Sequence, residues 1–475
     1  MKLIIGRIIL LWIALFLFSV AVFAEVDSPS FYGKRTIGPV ENNNEKAPLS
    51  FQRRSLVLTP LEDNIQNEEP QFLMVEKGNQ SIQPVINAKT ELSRNEKLLA
   101  KKAHYYFERN WNPSTGFTDS VQGYNHVTMW DVASDISAQF SLEGLGLQSK
   151  EMTNKKLEQL LTTLSVMPLY NNQLPNREYN TKTGMPSGLY SSHKSNGNGW
   201  SALDIGRLLI WLYIIEQEKP EFSSLIEKIT TTWVLSSAVS KQTLYGTKLS
   251  KKGEHYRQEG RLGYLQYASF GFLLFGFDVS ESYQKKHIEQ VSIEGISFLI
   301  DTRNMPFSTS DPYILMRLEV GNFQQWWDQL NTIYLLHKAK EERTKKHWVF
   351  GEDSMNKSPW FAYNNLFFYG KSWLSTSSGG KPIEVFQVFS NKVAFGFSVL
   401  FNDEYALNLR RDVINNSLYS RVIPTGIYSD SSVNTAYNIN TNSMILSSLW
   451  YKVNNNSPVI KRDAMLKVMQ GQLKH

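Results

Sequence analysis

Three carboxylates stand where this chain could do chemistry. Asp131 follows a tryptophan in TMWDVASDISAQF, Asp204 follows another in GWSALDIGR, and Glu259 sits in HYRQEGRLGY. Asp131 and Asp204 each come just after a polar, glycine-containing loop and just before an apolar run of helical period. Asp135 lies four residues after Asp131, on the same helical face. Carboxylates are seldom buried without a partner or a purpose. Cleaving a glycosidic bond needs this equipment: one carboxylic acid protonates the leaving oxygen, and a second carboxylate activates water or attacks the anomeric carbon. Aromatic faces supply apolar contact for the sugar ring. A plainer role also fits, because acids near helix starts are common caps, and Asp131 could instead pair with Arg207. Spacing alone leaves both readings open.

Other chemistries find less support. His104, His126, His193 and His255 are far apart, with no HExxH spacing, so no metal site is expected. Calcium on the oxygen atoms of DSSVNTAYN is the alternative. The chain has no phosphate-binding glycine loop, no dinucleotide fingerprint and no GxSxG elbow, and no cofactor is expected. With Cys 0, thiolate chemistry is excluded. The formal charge is +6, spread without a long basic run, which argues against nucleic acid as a partner.

The first residues explain part of that charge. MKLIIGR is basic, residues 8–23 are apolar, and VFA ends the run with small residues. This predicts a signal peptide over 1–24, cut after Ala24, and a periplasmic location. An uncleaved anchor is the alternative, although the run is short for a membrane span. Residues 25–90 are mixed and polar and read as an extended arm.

From residue 91 onward the texture becomes helical. Amphipathic segments such as KKLEQLLTTL alternate, imperfectly, with segments apolar almost all round, such as GRLLIWLYII and YLQYASFGFLLFGF. Solvent-facing helices outside and buried helices inside satisfy that pairing. The expected fold over 91–475 is therefore all-α, an (α/α)6 toroid, with a solenoid of helix pairs as the runner-up. QKKHIEQVSIEGISFLI and NNLFFYGKSW are read as helices, GEHYRQ as part of a long loop, and WVFGEDSMN and YSRVIPTGIY as short strands. In such a toroid the loops before the inner helices line one mouth, so acids at those entrances converge.

The stretch FERNWNPSTGFTDSVQGYNHVTMWDVASDISAQFSLEGLGL, together with NREYNTKTG, GWSALDIGRLLIWL and YRQEGRLGYLQYASFGFLLFGFD, resembles a bacterial family known as domain of unknown function 3131. The resemblance covers about residues 95–470. That family is similar to glucoamylase-like α/α-toroid glycoside hydrolases and is associated with exported envelope or exopolysaccharide systems. Its pattern carries Trp130, Asp131, Asn180, Gly184, Asp204, Glu259, Gly260 and Glu319. The resemblance thus implies a carbohydrate-active protein, with Asp131 as general acid, Asp204 as base (or the reverse) and Glu259 third. The expected sugar-binding set is Trp130, Trp200, Tyr124, Arg207, Asn180, Arg261, Tyr428 and Asn434. The expected partner is a polysaccharide or oligosaccharide, with proteins of an envelope polysaccharide system beside it. A non-catalytic glycan-binding or scaffold protein is the competing reading, and an exported helical domain with a protein partner the third.

The leader predicts a mature protein that begins at Glu25. Mass spectrometry of the exported chain checks this, and an intact Met1 in the membrane fraction would contradict it.

Overall fold

A helix with no solvent-facing side must be surrounded by protein, and among the described residues six helices have almost none. The computed structural model describes residues 91–461, apart from 304–306, 323–325 and 378–379. The expected leader (1–24) and arm (25–90), and the chain beyond 461, lie outside the described residues. In chain order the helices are α1 (Arg94–Asn110), α2 (Met129–Gly144), α3 (Lys150–Val166), α4 (Ala202–Glu218), α5 (Ser223–Thr232), α6 (Tyr264–Leu274), α7 (Asp311–Glu319), α8 (Trp326–Thr344), α9 (Asn391–Leu400), α10 (Glu404–Ser417) and α11 (Ile439–Val453).

Helices α2, α4, α6, α7, α9 and α11 are buried along nearly their whole length. Each packs on the next in that order, and α11 returns to α2, so the six close into a ring. The closing seam is polar and narrow: Ser137 and Ser447 share a 2.7 Å hydrogen bond, and the Ser443 hydroxyl donates to the Ser134 carbonyl at 2.6 Å. Small side chains let two backbones approach, and their hydroxyls find partners where no water reaches. Helices α1, α3, α5, α8 and α10 form the outer layer. On α1, Leu99, Ala103 and Tyr106 face inward, while Lys97, Lys101 and Glu108 face water.

Among the described residues the sixth outer position holds no α-helix. A hairpin of two strands, Ile288–Ile293 and Ile296–Asp301, packs against α8 there. This corrects the helical reading of QKKHIEQVSIEGISFLI. Isoleucine and valine favour strands, and Glu294 and Gly295 both take positive φ (50° and 77°), as a two-residue hairpin turn demands. NNLFFYGKSW is likewise a hairpin, Phe361–Phe368 with Lys371–Thr376, turning at Tyr369 and Gly370. The supposed loop around GEHYRQ is the strand Gly253–Gln258, paired with Thr243–Ser250. The fold is thus mostly helical and toroid-like, with several small antiparallel sheets, rather than purely all-α. Glu352–Ser354 and Gly426–Tyr428 are strands within the two segments read that way.

Apart from the outer hairpin, these sheets lie in the connections that lead into the inner helices, so they shape the mouth of the ring. Side-chain caps fix the entrances. Thr128, Ser201 and Asn438 accept the backbone N–H groups of Asp131, Asp204 and Thr441 at the starts of α2, α4 and α11.

Helices α4 and α6 approach each other through glycine. A Cβ on Gly271 would overlap the Gly206 carbonyl, and one on Gly206 would overlap the Ala268 carbonyl. Alanine at 271 should therefore destabilise by roughly 1–3 kcal/mol through overpacking, even though it gains about 1 kcal/mol in helix propensity. Urea unfolding of Gly271→Ala checks this, and an unchanged midpoint would contradict so close a crossing.

Candidate active site

All six inner helices contribute to one cleft on the ring axis. Its walls include Trp130 and Ser134 from α2, Arg207 from α4, Tyr264 from α6, Asp311 and Leu315 from α7, Lys392 from α9, and Asn440 and Met444 from α11. Glu352 and Phe361 close it from two paired strands. About 320 Å³ of non-atom space lies here, open solvent included, and the room among the side chains themselves is small. Trp130 and Tyr264 form an aromatic corner, with ring centroids 5.3 Å apart and planes 58° apart.

The floor is held by a buried guanidinium. Arg207 lies 4.6 Å from the centre of the Trp130 ring. It donates to Ser134 Oγ at 2.6 Å, to the Trp130 carbonyl at 3.1 Å and to the Tyr267 hydroxyl at 3.2 Å, and it pairs with Glu319 at 3.3 Å. Tyr267 in turn donates to Glu319. Its ion-pair partner is thus Glu319.

Asp131 is completely buried at the rim. One carboxylate oxygen accepts the Thr128 backbone N–H at 3.0 Å and the Thr128 hydroxyl at 2.9 Å. The other accepts from Asn440 at 2.8 Å. Asp131 thereby closes a capping box and fixes a residue that lines the cleft. Asp135 points elsewhere, accepting from Gln139 at 2.8 Å, and burial raises its pKa.

Asp204 and Glu259 are brought together at the entrances of α4 and α6. Ser201 donates to Asp204 at 3.1 Å, one turn before Arg207. Glu259 accepts the Ala202 N–H at 2.7 Å and stands 3.6 Å from Arg177. Burial raises the Glu259 pKa; Arg177 opposes this and the Asp204 charge adds to it. Gly246 is needed here, because a Cβ would strike the Glu259 carboxylate. Both acids are 5 % exposed.

The remaining expected residues scatter. Trp200 donates to the Tyr245 carbonyl at 3.1 Å and starts an aromatic strip through Tyr256, which is exposed. Tyr124 packs on His126 in the loop before α2. Asn180 accepts two backbone N–H groups of its own turn. Tyr428 and Asn434 are buried: the Tyr428 hydroxyl bonds Asn356, and Asn434 donates to the Ser354 carbonyl and Gln387. They brace the strand Glu352–Ser354 from behind. Within DSSVNTAYN, Asp430 accepts from Ser432 and faces Lys357 at 3.5 Å. Among the described residues no group of three or more His, Asp or Glu side chains is placed to hold a metal ion.

One charged group was missed. Lys392 Nζ lies 2.7 Å from Asp311 and 3.1 Å from Asp353, and it donates to the Glu352 carbonyl. Asp311 also accepts the Glu352 N–H at 2.9 Å, and Thr309 donates to the Glu352 carboxylate at 3.0 Å. Burial works against the Lys392 ammonium, but Asp311 and Asp353 outweigh it and raise its pKa. Burial also raises Asp353, with Lys392 opposing. The sequence signal was a lone lysine entering the apolar helix NKVAFGFSVL, where the helix dipole disfavours a cation.

A family model described as "Protein of unknown function (DUF3131)" matches residues 98–455. No curated protein matches. Among solved structures, a candidate glucoamylase from Bacteroides caccae is 13% identical and superposes with a TM-score of 0.56, covering 79% of this chain and 97% of that one. Its counterpart from Bacteroides fragilis is 13% identical, with a TM-score of 0.56 over 80% and 98%. The endo-β-1,2-glucanase from Chitinophaga pinensis, in complex with sophorotriose and glucose, is 12% identical, with a TM-score of 0.55 over 80% and 98%. At these identities the likeness is one of fold.

Lys392→Met should cost about 3–5 kcal/mol at pH 7, because two buried carboxylates lose their cation. Without it, the folded-state pKa of Asp353, already raised by burial, lies further above the unfolded value. The deficit should therefore shrink as pH falls and Asp353 becomes neutral. Unfolding at pH 7 and near pH 4.5 reads this, and a deficit that grows on acidification would contradict it.

Proposed function

The chain belongs to the DUF3131 family of proteins of unknown function, and from that premise we propose that it is an exported glycoside hydrolase cleaving an envelope or extracellular polysaccharide at the mouth of the ring. One observation carries the reading. Asp204 and Glu259 meet at the entrances of α4 and α6, and burial raises the pKa of Glu259, with Arg177 opposing and the Asp204 charge adding to the rise. A carboxylic acid of raised pKa beside a second carboxylate is how one site performs both acid and base steps. The likeness in fold to a candidate glucoamylase and an endo-β-1,2-glucanase supports it.

In this reading Trp130, Tyr264 and Phe361 pack against the sugar faces. Glu259 gives its proton to the glycosidic oxygen as the C1–O bond breaks. Water adds to C1 and yields its proton to Asp204. Asp131 acts as a positioning residue, through Thr128 and Asn440. The leader over 1–24 delivers the protein to the periplasm, beside other components of a polysaccharide system. A second reading, a glycan-binding or scaffold protein, draws on Asp131, Asp311 and Asp353, whose carboxylates already hold protein partners.

Reducing-end release from α-1,4-, β-1,2-, β-1,3- and β-1,4-glucans and from acidic exopolysaccharides tests the hydrolase. Glu259→Gln and Asp204→Asn should each lower turnover by roughly 100-fold or more, with unchanged melting curves. Activity of the unmodified protein should fall as pH rises through the Glu259 pKa, since the ionised acid has no proton to give. Full activity in folded Glu259→Gln would remove it as the acid. Tight binding without product across the panel would favour the second reading.

A further inference from the structure

Arg261 lies two residues after Glu259 and three before Tyr264, just ahead of α6. It is 1 % exposed. Its Nη1 donates to Gln258 at 2.6 Å and to the Gly260 carbonyl. Among the described residues its Nε and Nη2 have no hydrogen-bond partner, although both are buried. Those two nitrogens form the edge of a guanidinium that grips two oxygens side by side. Two other arginines of this protein use that edge in full. Arg303 binds Asp301 through Nε at 2.9 Å and through Nη2. Arg343 binds Glu294 through Nε at 2.6 Å and Nη2 at 2.9 Å. On Arg261 no described residue takes up the same edge.

Its surroundings are lopsided in charge. Arg303 and Arg257 lie close enough to act on it, and Asp301, the carboxylate that does so, is already committed to Arg303. Burial pulls the Arg261 pKa down; Asp301 opposes, and Arg303 and Arg257 add to the fall, to about 10. Tyr369, half exposed at its hairpin turn, also interacts with it electrostatically. Buried donors left unmade are costly, and a cation crowded by cations is more so. An anion would relieve both.

We propose that Arg261, with Arg303 and Arg257 around it, is a specificity site for a two-oxygen anion carried by the glycan, either a uronate carboxylate or a phosphate ester. The site rests on the reading of this mouth as a glycan-binding face and narrows it to acidic polysaccharide. The anion docks on Nε and Nη2, and Tyr369 stands at the rim. The docked unit is thereby held at the entrance of α6, and the anion sets which sugar unit enters there.

Calorimetric titration of the full chain at low ionic strength tests this, with glucuronate, glucose 6-phosphate and glucose as probes. Glucuronate, glucose 6-phosphate or both should bind at least tenfold more tightly than glucose, and whichever does so identifies the anion. Added salt should weaken that preference, and Arg261→Gln should abolish it. Arg261→Lys, which keeps the charge but loses the paired edge, should retain only a part. Should Arg261→Gln melt early, Arg257→Gln reads the same field and should reduce the preference. Equal affinity for all three probes, no binding of either anion, or a preference that survives Arg261→Gln would each overturn the site. Anion-selective binding without any hydrolysis would leave the site standing and remove the hydrolase.

Discussion

A buried guanidinium ties the ring together. Arg207 leaves α4 and reaches α2 through Ser134 and the Trp130 carbonyl, α6 through Tyr267, and α7 through Glu319. Four of the six inner helices therefore share one charge on the axis. Such a charge is stable only when every donor is met, since an unpaired ion in an apolar interior is far costlier than its pairing is favourable. That demand fixes how the helices turn about their own axes. It also sets the Trp130 ring against the guanidinium and so shapes the floor of the cleft. The second buried charge, Lys392, does the same for α7, α9 and the strand that carries Glu352 and Asp353.

The mouth follows from the caps. Helices that enter an apolar ring expose backbone N–H groups at their first turns, and each needs an acceptor. Thr128, Ser201 and Asn438 supply these, and Asp131 reciprocates for Thr128. Polar side chains thus gather at the mouth for structural reasons first. Both Asp131 and Glu259 have protein partners on both carboxylate oxygens, but Glu259 is in addition crowded by Asp204 and raised in pKa. The difference between those acids lies in their neighbours.

Much of this was legible in the sequence. Apolar runs alternating with amphipathic ones carry the two-layer helical arrangement, and a polar loop ahead of an apolar run marks Asp131 and Asp204 as entrance residues. What stayed hidden was set by tertiary contact. IEG turns a would-be helix into a hairpin only because Glu294 and Gly295 accept positive φ, and Glu294 is an unusual residue for it. Glu352 and Asp353 looked like part of an unremarkable strand until Lys392, some forty residues on, met them. Tyr428 and Asn434 read as sugar contacts from composition, yet they brace a strand because their polar atoms find buried partners. The spacing of Arg261 gives no hint that one edge of its side chain lacks a partner among the described residues.

The central claim is that the cleft above Arg207 receives a sugar ring against Trp130 and Tyr264, within reach of Glu259. A crystal structure of the Glu259→Gln protein grown with an oligosaccharide that the unmodified chain binds tests it most directly. The account predicts a ring packed on the Trp130 indole, with a glycosidic oxygen within hydrogen-bond reach of the amide that replaces the Glu259 carboxyl. An oligosaccharide bound only along Tyr256 and the outer strip, with the axial cleft empty, would contradict it.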